Sequence, residues 1–427
     1  MDTDNSPRSQ DKHVYIINFN QDLDPTLALC RYLSRKTLLD STASAAMHQE
    51  MHEERLEHQL EHIGEGFCAI IYDFASTGNV IKQAKGWNKH PELWTDYSAH
   101  QCIYSAGSSK GVQVCIPQPA YFIAPEHVHT WYSRLKSVGE LPDDPVLLTK
   151  STALLISERI PALPRRIREA LIDTFCPEDQ RTAACMSQKN RNCLLRIYLG
   201  RRRTNTRVEG EFTLRNFEFT LDKMEMLGVD PMQFVAPMAE ALAVMHWTVH
   251  CDAFDVEFVL GSSPKMRTRC VPSEDESPSG MRTTWNQEPG DESNPQCLEK
   301  AVKVWLLDFN QVGKIALDED GVEKAVRGFW DNDPYYPRPN IEGIANRTAE
   351  AKLWEAFRDV YLTTSLGLID DISLPSLFIK RVEEEGAMRS ASGSMLQGPP
   401  KSSTTSMSDP SQARGKKKKH RHYPGPS

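Results

Sequence analysis

No apolar run in the chain approaches the length of about 18 residues needed to cross a bilayer. The start, Met1-Asp2-Thr3-Asp4-Asn5, lacks the basic and apolar regions of a secretory signal. Neither a membrane span nor export is therefore expected, which points to the cytosol or nucleus. The 10 cysteines, Cys30, Cys68, Cys102, Cys115, Cys176, Cys185, Cys193, Cys251, Cys270 and Cys297, include no Cys-x-x-Cys pair. A structural zinc site is not expected, and reduced thiols are the default. Clustered basic charge is also missing from the body of the chain. The formal net charge is -8, and the basic residues that do cluster, Lys401, Arg414, Lys416 to Lys419 and Arg421, all follow Pro400. An acidic body argues against a folded nucleic-acid-binding surface. The Lys416 to Arg421 cluster reads as a nuclear-import signal, a contact for acidic lipid or nucleic acid, or a solubilising tail.

What is present is concentrated between Met238 and Val312. Met238, Ala241, Leu242 and Met245 recur at i, i+3, i+4 and i+7, the stripe of a core-facing helix that breaks at His246. His250-Cys251-Asp252 follows, then the apolar run Val256 to Leu260 containing Glu257, then Val304-Trp305-Leu306-Leu307-Asp308-Phe309-Asn310. Phosphoryl transfer needs one carboxylate to receive a hydroxyl proton and another to hold Mg²⁺ on the phosphates. A packed hairpin ending in Asp252 and Asp308 would hold two such groups over one cleft. Helix, His-x-Asp loop, strand, strand, Asp-Phe: this order resembles the catalytic core of the protein-kinase-like fold.

Upstream residues fit the same resemblance. Ile63-Gly64-Glu65-Gly66-Phe67-Cys68-Ala69 is similar to a kinase glycine-rich loop closing into a strand, with Ala69 in place of the third glycine. Gly64 and Gly66 let the backbone approach phosphates. After the turn Ser76-Thr77-Gly78, Lys82 falls where kinases carry the lysine that binds the α- and β-phosphates. The helix expected over Pro91 to Ser105 offers Glu92 and Asp96 as its partner, and Asp96, deeper in the helix, is preferred. Ala153 to Ile160, followed by Pro161, resembles the last small-lobe strand and the hinge, where backbone groups near Glu158 to Ile160 would hydrogen-bond an adenine ring. His48 with His52, and His58 with His62, pair at i, i+4 within a helix expected over Thr42 to His62, and read as a solvated face and not as a metal site.

Helices are expected over Pro231 to His246, Ala349 to Ser365 and Pro375 to Glu385, and Gly111 to Cys115 with Pro119 to Ala124 reads as a hairpin. The polar stretch 261–302 reads as a disordered insertion at a hairpin tip. Lengthening that tip about tenfold costs only on the order of 2 kcal/mol of closure entropy. The expected organisation is thus α+β and two-lobed: residues 1–12 unordered, 13–160 a leading segment with a small β-rich lobe, 161–385 a larger mainly helical lobe, and 386–427 an unordered basic tail.

The segments Glu158-Arg159-Ile160-Pro161, Tyr198-Leu199-Gly200-Arg201-Arg202, Asp255 to Leu260 and Asn332 to Pro339 are similar to those of an uncharacterised family from filamentous fungi. Its members are often labelled zinc-finger-like, a label that no Cys/His spacing here supports. That family implies no known activity. Measured against kinases, Glu257 replaces the asparagine expected five residues after Asp252, Cys251 replaces an arginine, Asn310 replaces a glycine, and no Ala-Pro-Glu follows. Two expectations result. One is an ATP- and Mg²⁺-dependent phosphotransferase with Asp252 as base, Asp308 and Glu257 on the metal, Lys82 on phosphates and Asp96 holding Lys82. The other is an inactive pseudokinase acting as a protein-binding adaptor.

Overall fold

The computed structural model describes residues 16–17, 24–39, 41–56, 60–74, 77–137, 152–203, 210–264, 299–339 and 348–391. Expectations for residues 1–12, 265–298 and 392–427, the Lys416 to Arg421 cluster included, lie outside them. The architecture is mixed α and β. It opens with β1 (Ile16–Ile17), α1 (Pro25–Tyr32), β2 (Leu38–Leu39) and α2 (Ser41–Leu56). Asp24 starts α1: its carboxylate accepts the backbone N–H groups of Thr26 and Leu27, and Pro25 fills the first helical position, where no N–H is needed.

A five-stranded antiparallel sheet follows. Strands β3 (Leu60–Glu65), β4 (Ala69–Phe74) and β5 (Asn79–Ala84) form a meander, and after α3 (His90–Lys110) come β6 (Pro119–Ile123), α4 (Val128–Ser137) and β7 (Leu154–Glu158). The order is β3-β4-β5-β7-β6. Side chains alternate across each strand, so β7 feeds two cores. Leu154 and Ile156 meet Tyr72, Phe74 and Ile81 under Val128 and Tyr132 of α4, while Ala153 and Leu155 meet Cys68, Ala69 and Ala84 under Leu93 of α3. Gly78 takes φ +72°, as the β4–β5 turn requires.

The rest is built on α5 (Arg165–Phe175), α6 (Arg181–Met186), β8 (Leu195–Tyr198), β9 (Phe217–Thr220), α7 (Leu221–Met226), α8 (Val235–Val244), β10 (Glu257–Ser262), β11 (Glu299–Lys300), β12 (Val302–Leu307), α9 (Glu319–Asp331), α10 (Thr348–Ser365) and α11 (Ser373–Ala391). A second sheet has the order β12-β10-β8-β9, with β8 and β9 parallel. Helix α8 is apolar nearly all round because it is buried nearly all round, packed along α10 and against α3 in one large core that also takes in the second sheet.

Several boundaries differ from the sequence reading. Helix α2 ends at Leu56, because Leu60 to Glu65 pairs with β4, and His62 therefore stands on a strand, its Nε2 2.9 Å from the Gly64 carbonyl. Sheet pairing outweighs local helix propensity there. Gly111 to Cys115 makes no hairpin with Pro119 to Ala124. Cys115 instead bridges to Trp305, its N–H donating to the Val304 carbonyl at 2.8 Å, and Pro119 to Ile123 pairs with β7. Pro117 and Pro119 have no N–H to offer a hairpin ladder. The helix expected to end at His246 continues as a π-helical turn, Met245–Val249, preceded by a 3₁₀ turn, Pro231–Phe234. The insertion is shorter than 261–302, since Gly261, Ser262, Glu299, Lys300 and Val302 are in strands. Helix α11 continues past 385 to Ala391, and Gly386 is buried in it. A Cβ there would lie 3.0 Å from Pro339 and from the Trp330 ring, so glycine is a packing requirement and not the start of a tail.

Candidate functional site

Strand β5, helix α3 and the turn after β12 deliver three charged side chains to one place. Lys82 Nζ donates to Asp96 Oδ2 at 2.8 Å and to Asp308 Oδ1 at 3.4 Å. Exposure of the side chains rises from 1% at Asp96 through 15% at Lys82 to 33% at Asp308, so the group opens outward through Asp308. Burial alone would depress the Lys82 ammonium, but the carboxylates of Asp96 and Asp308 outweigh it and hold the group well above its ordinary value. The other oxygen of Asp96 accepts the backbone N–H of Phe309 at 3.2 Å. One helical turn on, the His100 ring lies 4.9 Å from that of Phe309, and His100 Nε2 donates to the Pro117 carbonyl at 2.6 Å. Helix α3 thus grips the Asp308-Phe309 turn through an i, i+4 pair.

The facing loops are conformationally costly. His250, Ala253, Asp255 and Asp308 all take positive φ, between +52° and +64°, without being glycine. Such residues cost on the order of 1 kcal/mol or more each and persist only where neighbours over-determine them. Here the Asp252 N–H donates to the Gly313 carbonyl at 2.9 Å and the Ile315 N–H to that of His250 at 2.9 Å. The Asp252 carboxylate Oδ1 accepts the N–H groups of Phe254 (3.1 Å) and Gly313 (2.8 Å), and Lys324 Nζ lies 3.7 Å from Oδ2. Helix α9 rests directly on this loop: a Cβ at Gly328 would fall 2.4 Å from the Asp252 carbonyl oxygen. Gly328→Ala, normally favourable in a helix by about 0.5–1 kcal/mol, should here cost about 1–3 kcal/mol, read as a lower urea midpoint.

Glu257 is placed differently from what the sequence suggested. It is a diagonal neighbour of Arg196, because β10 and β8 pair Val259 with Arg196. Arg196 Nη2 contacts the Glu257 carboxylate, and Nη1 lies 3.5 Å from Asp333 Oδ2, which also accepts from the Tyr198 hydroxyl at 2.7 Å. Burial pushes Glu257 up to about 7, opposed by Arg196 and reinforced by Asp308, Asp255 and Asp333. Burial likewise pushes Asp255 up to about 6, reinforced by Asp308, while Gln311 donates to its carboxylate. With Glu257 committed to Arg196, the pair Asp308 and Glu257 does not fit a shared Mg²⁺.

The remaining expected residues are placed as follows. Gly64 stands in β3, paired with Ile71, and Gly66 lies in the turn to β4, where its N–H donates to the Ala69 carbonyl at 2.9 Å and Phe67 is 73% exposed under Lys89 Nζ, 3.8 Å from its ring centroid. Glu158 and Arg159 spend their N–H groups on the carbonyls of Gln118 and Gly78, so of the stretch expected to meet an adenine only Ile160 is not committed in this way. Glu92 pairs with Lys89 and not with Lys82. Asn310 donates to Cys68 Sγ at 3.0 Å, tying the Asp308 turn to the strand beyond the glycine turn. Arg201, Arg202 and Arg203 are all engaged by glutamates. A cavity lined by Glu54, Arg159, Arg168 and Asn192 lies apart from this group, with Arg159 paired to Asp73 and Arg168 to Glu54. Sequence reasoning missed Arg196, Lys324 and Asp333. Their partners lie about 60 to 140 residues away, and only the shared strand face of Arg196 and Tyr198, two apart, carried any signal.

Residues 304–372 match a family model described as zinc finger protein. That span holds most of β12, then Asp308, Phe309, α9 and all of α10, and it contains neither cysteine nor histidine. It therefore supplies no zinc ligands of the usual kind. Among the described residues, no group of three or more His, Cys, Asp or Glu side chains is placed to hold a metal ion, and the described cysteines are all free. No described helix is long and apolar enough to cross a membrane. Neither a curated protein nor a solved structure matches the chain.

Proposed function

We propose that the chain carries a two-lobed, protein-kinase-like core, that its cleft binds a nucleoside triphosphate such as ATP, and that it passes the terminal phosphoryl group to a hydroxyl. The observation that carries this reading is the junction of Lys82, Asp96 and Asp308, three residues from distant segments with distances of 2.8 and 3.4 Å between their charged atoms. Phosphoryl transfer is mostly positioning and electrostatics, and a buried lysine fixed by one carboxylate beside a second, exposed one is what that chemistry uses. In this reading Lys82 meets the phosphates, the Gly64–Gly66 turn covers them, and the base takes its ring near Ile160. The substrate oxygen bonds to the terminal phosphorus as the bond to the bridging oxygen breaks, and Asp252 takes the hydroxyl proton.

Asp252→Asn tests it. An asparagine Oδ1 still accepts from Phe254 and Gly313, so folding should change by less than about 1 kcal/mol, while turnover falls by about 10²–10⁴-fold. Wild-type turnover in both Asp252→Asn and Asp308→Asn would remove the proposal. A second reading, a pseudokinase serving as a protein-binding adaptor, is favoured by one observation: Asp252 Oδ1 already receives two N–H groups and Oδ2 faces Lys324. That version expects a fold indifferent to nucleotide and no phosphotransfer to any hydroxyl.

A further inference from the structure

Helix α9 comes so close to the Asp252 loop that its facing positions must be glycine. A Cβ at Gly321 would collide with the Ala316 carbonyl, and one at Gly328 with the Asp252 carbonyl. Lys324 stands between them, three residues after the first and four before the second, and therefore on the same face. That face sends the Lys324 side chain to the loop: Nζ donates to the Lys314 carbonyl at 2.8 Å and lies 3.7 Å from Asp252 Oδ2. Gly313 makes the seat. It does not take positive φ, so its backbone does not call for glycine, but a Cβ there would lie 2.5 Å from Nζ and 2.7 Å from Oδ2. Both charged groups keep capacity to spare. An ammonium has three hydrogens, and among the described residues only the Lys314 carbonyl takes one from Lys324. At 3.7 Å the Asp252 oxygen is too far to take a second. Among the described residues Oδ2 accepts no hydrogen bond, since Phe254 and Gly313 both donate to Oδ1, and no other cation lies within 4 Å of Asp252. The Lys324 side chain is 42% exposed, so the seat is open to solvent.

We propose that Lys324 selects the acceptor: an alcohol with a carboxylate or phosphate on the neighbouring carbon, the hydroxyl donating to Asp252 Oδ2 and the anion accepting from Lys324 Nζ. What then happens at the hydroxyl rests on the proposed phosphotransfer; the binding does not. A spare ammonium donor beside a spare carboxylate oxygen is complementary to a molecule that offers a proton and a negative charge side by side. A hydrogen bond between two charged groups is also roughly twice as strong as one between neutral groups. A neutral polyol gains only a weaker bond at Nζ, and an amine on that carbon would meet Nζ with like charge.

The test is a titration of the nucleotide-free full chain with glycerate and with glycerol phosphate, followed by saturation-transfer nuclear magnetic resonance, with glycerol and ethanolamine as the neutral and cationic controls. Wild type is expected to bind at least one of the two anions saturably, and neither control in the same concentration range. Lys324→Met is expected to weaken that binding about 10–100-fold, the loss of one hydrogen bond between charged groups. Gly313→Ala keeps the charge but crowds Nζ out of its seat, and is expected to weaken anion binding as well, so the test stands even if Lys324→Met does not fold. Because no ATP is present, a chain that transfers no phosphate would still give these results, and the two readings fail separately. A wild type that binds neither anion, or that binds glycerol or ethanolamine as tightly, would overturn the inference. So would a folded Lys324→Met, or Gly313→Ala in its place, with wild-type affinity for the anion.

Discussion

Lys82→Met should lower folding stability by about 3–5 kcal/mol, the range for breaking a buried ion pair from one side. Asp96 would be left 1% exposed with the Phe309 N–H as its remaining direct donor. An ionised carboxylate so buried is far more costly alone than when paired. Asp308→Asn should cost much less, because Asp308 is a third exposed and its loss leaves Lys82 still held by Asp96. Lys82→Met combined with Asp96→Leu should regain most of the loss, since an apolar pair replaces the stranded charge. Urea midpoints of the three variants check this. Equal, small costs for Lys82→Met and Asp308→Asn would mean that the pair is not the anchor of the site.

Acidification should be the second large effect. His246 is fully buried, with Nδ1 2.9 Å from the Tyr361 hydroxyl and the Phe378 ring 4.8 Å away, and burial pushes its pKa down to about 3. Burial, and then the charge of Lys82, pushes His100 down to about 4. Both imidazoles are therefore neutral in the fold and protonated more readily in the unfolded chain. Their contribution is complete above the ordinary histidine pKa of about 6.5 and is lost as the pH falls from there toward the folded values, by about 2–3 kcal/mol each at pH about 4.5. Asp255 and Glu257, raised in the fold, act in the opposite sense and stabilise as the pH falls through about 6 to 7. The histidine share is therefore read by difference. His246→Gln and His100→Gln should each flatten the fall in urea midpoint below pH about 6.5, and an unchanged slope in both would contradict the assignment.

Much of the site was legible because its signals are local or follow chain order. A lysine on the strand after a Gly-x-Gly turn, an acid deeper in the next helix and an Asp-Phe after a buried strand all stand where the sequence placed them, and Asp96 was rightly preferred to Glu92 as the partner of Lys82. What escaped depends on register and on close approach. That Glu257 faces Arg196 follows from pairing Val259 with Arg196, and slipping that pairing by one residue would turn the two side chains to opposite faces. Gly386 looked like the beginning of a tail, since nothing local marks the Trp330 ring that it makes room for. The charged run ahead of Gly64 looked helical to its end until pairing with β4 claimed Leu60 to Glu65. The apolar stripe through Met245 ran true, but the π turn that carries it to His250 left no mark in the residue spacing.

The most direct test of the central claim is a thermal-shift titration of the full chain with ATP, with and without Mg²⁺, alongside Lys82→Met, each protein referred to its own unliganded midpoint. At about 100 times its dissociation constant a nucleotide held at Lys82 should stabilise the wild type by about 2.7 kcal/mol and leave Lys82→Met unmoved. No shift with any nucleoside triphosphate in either condition, or an equal shift in the lysine variant, would contradict the account.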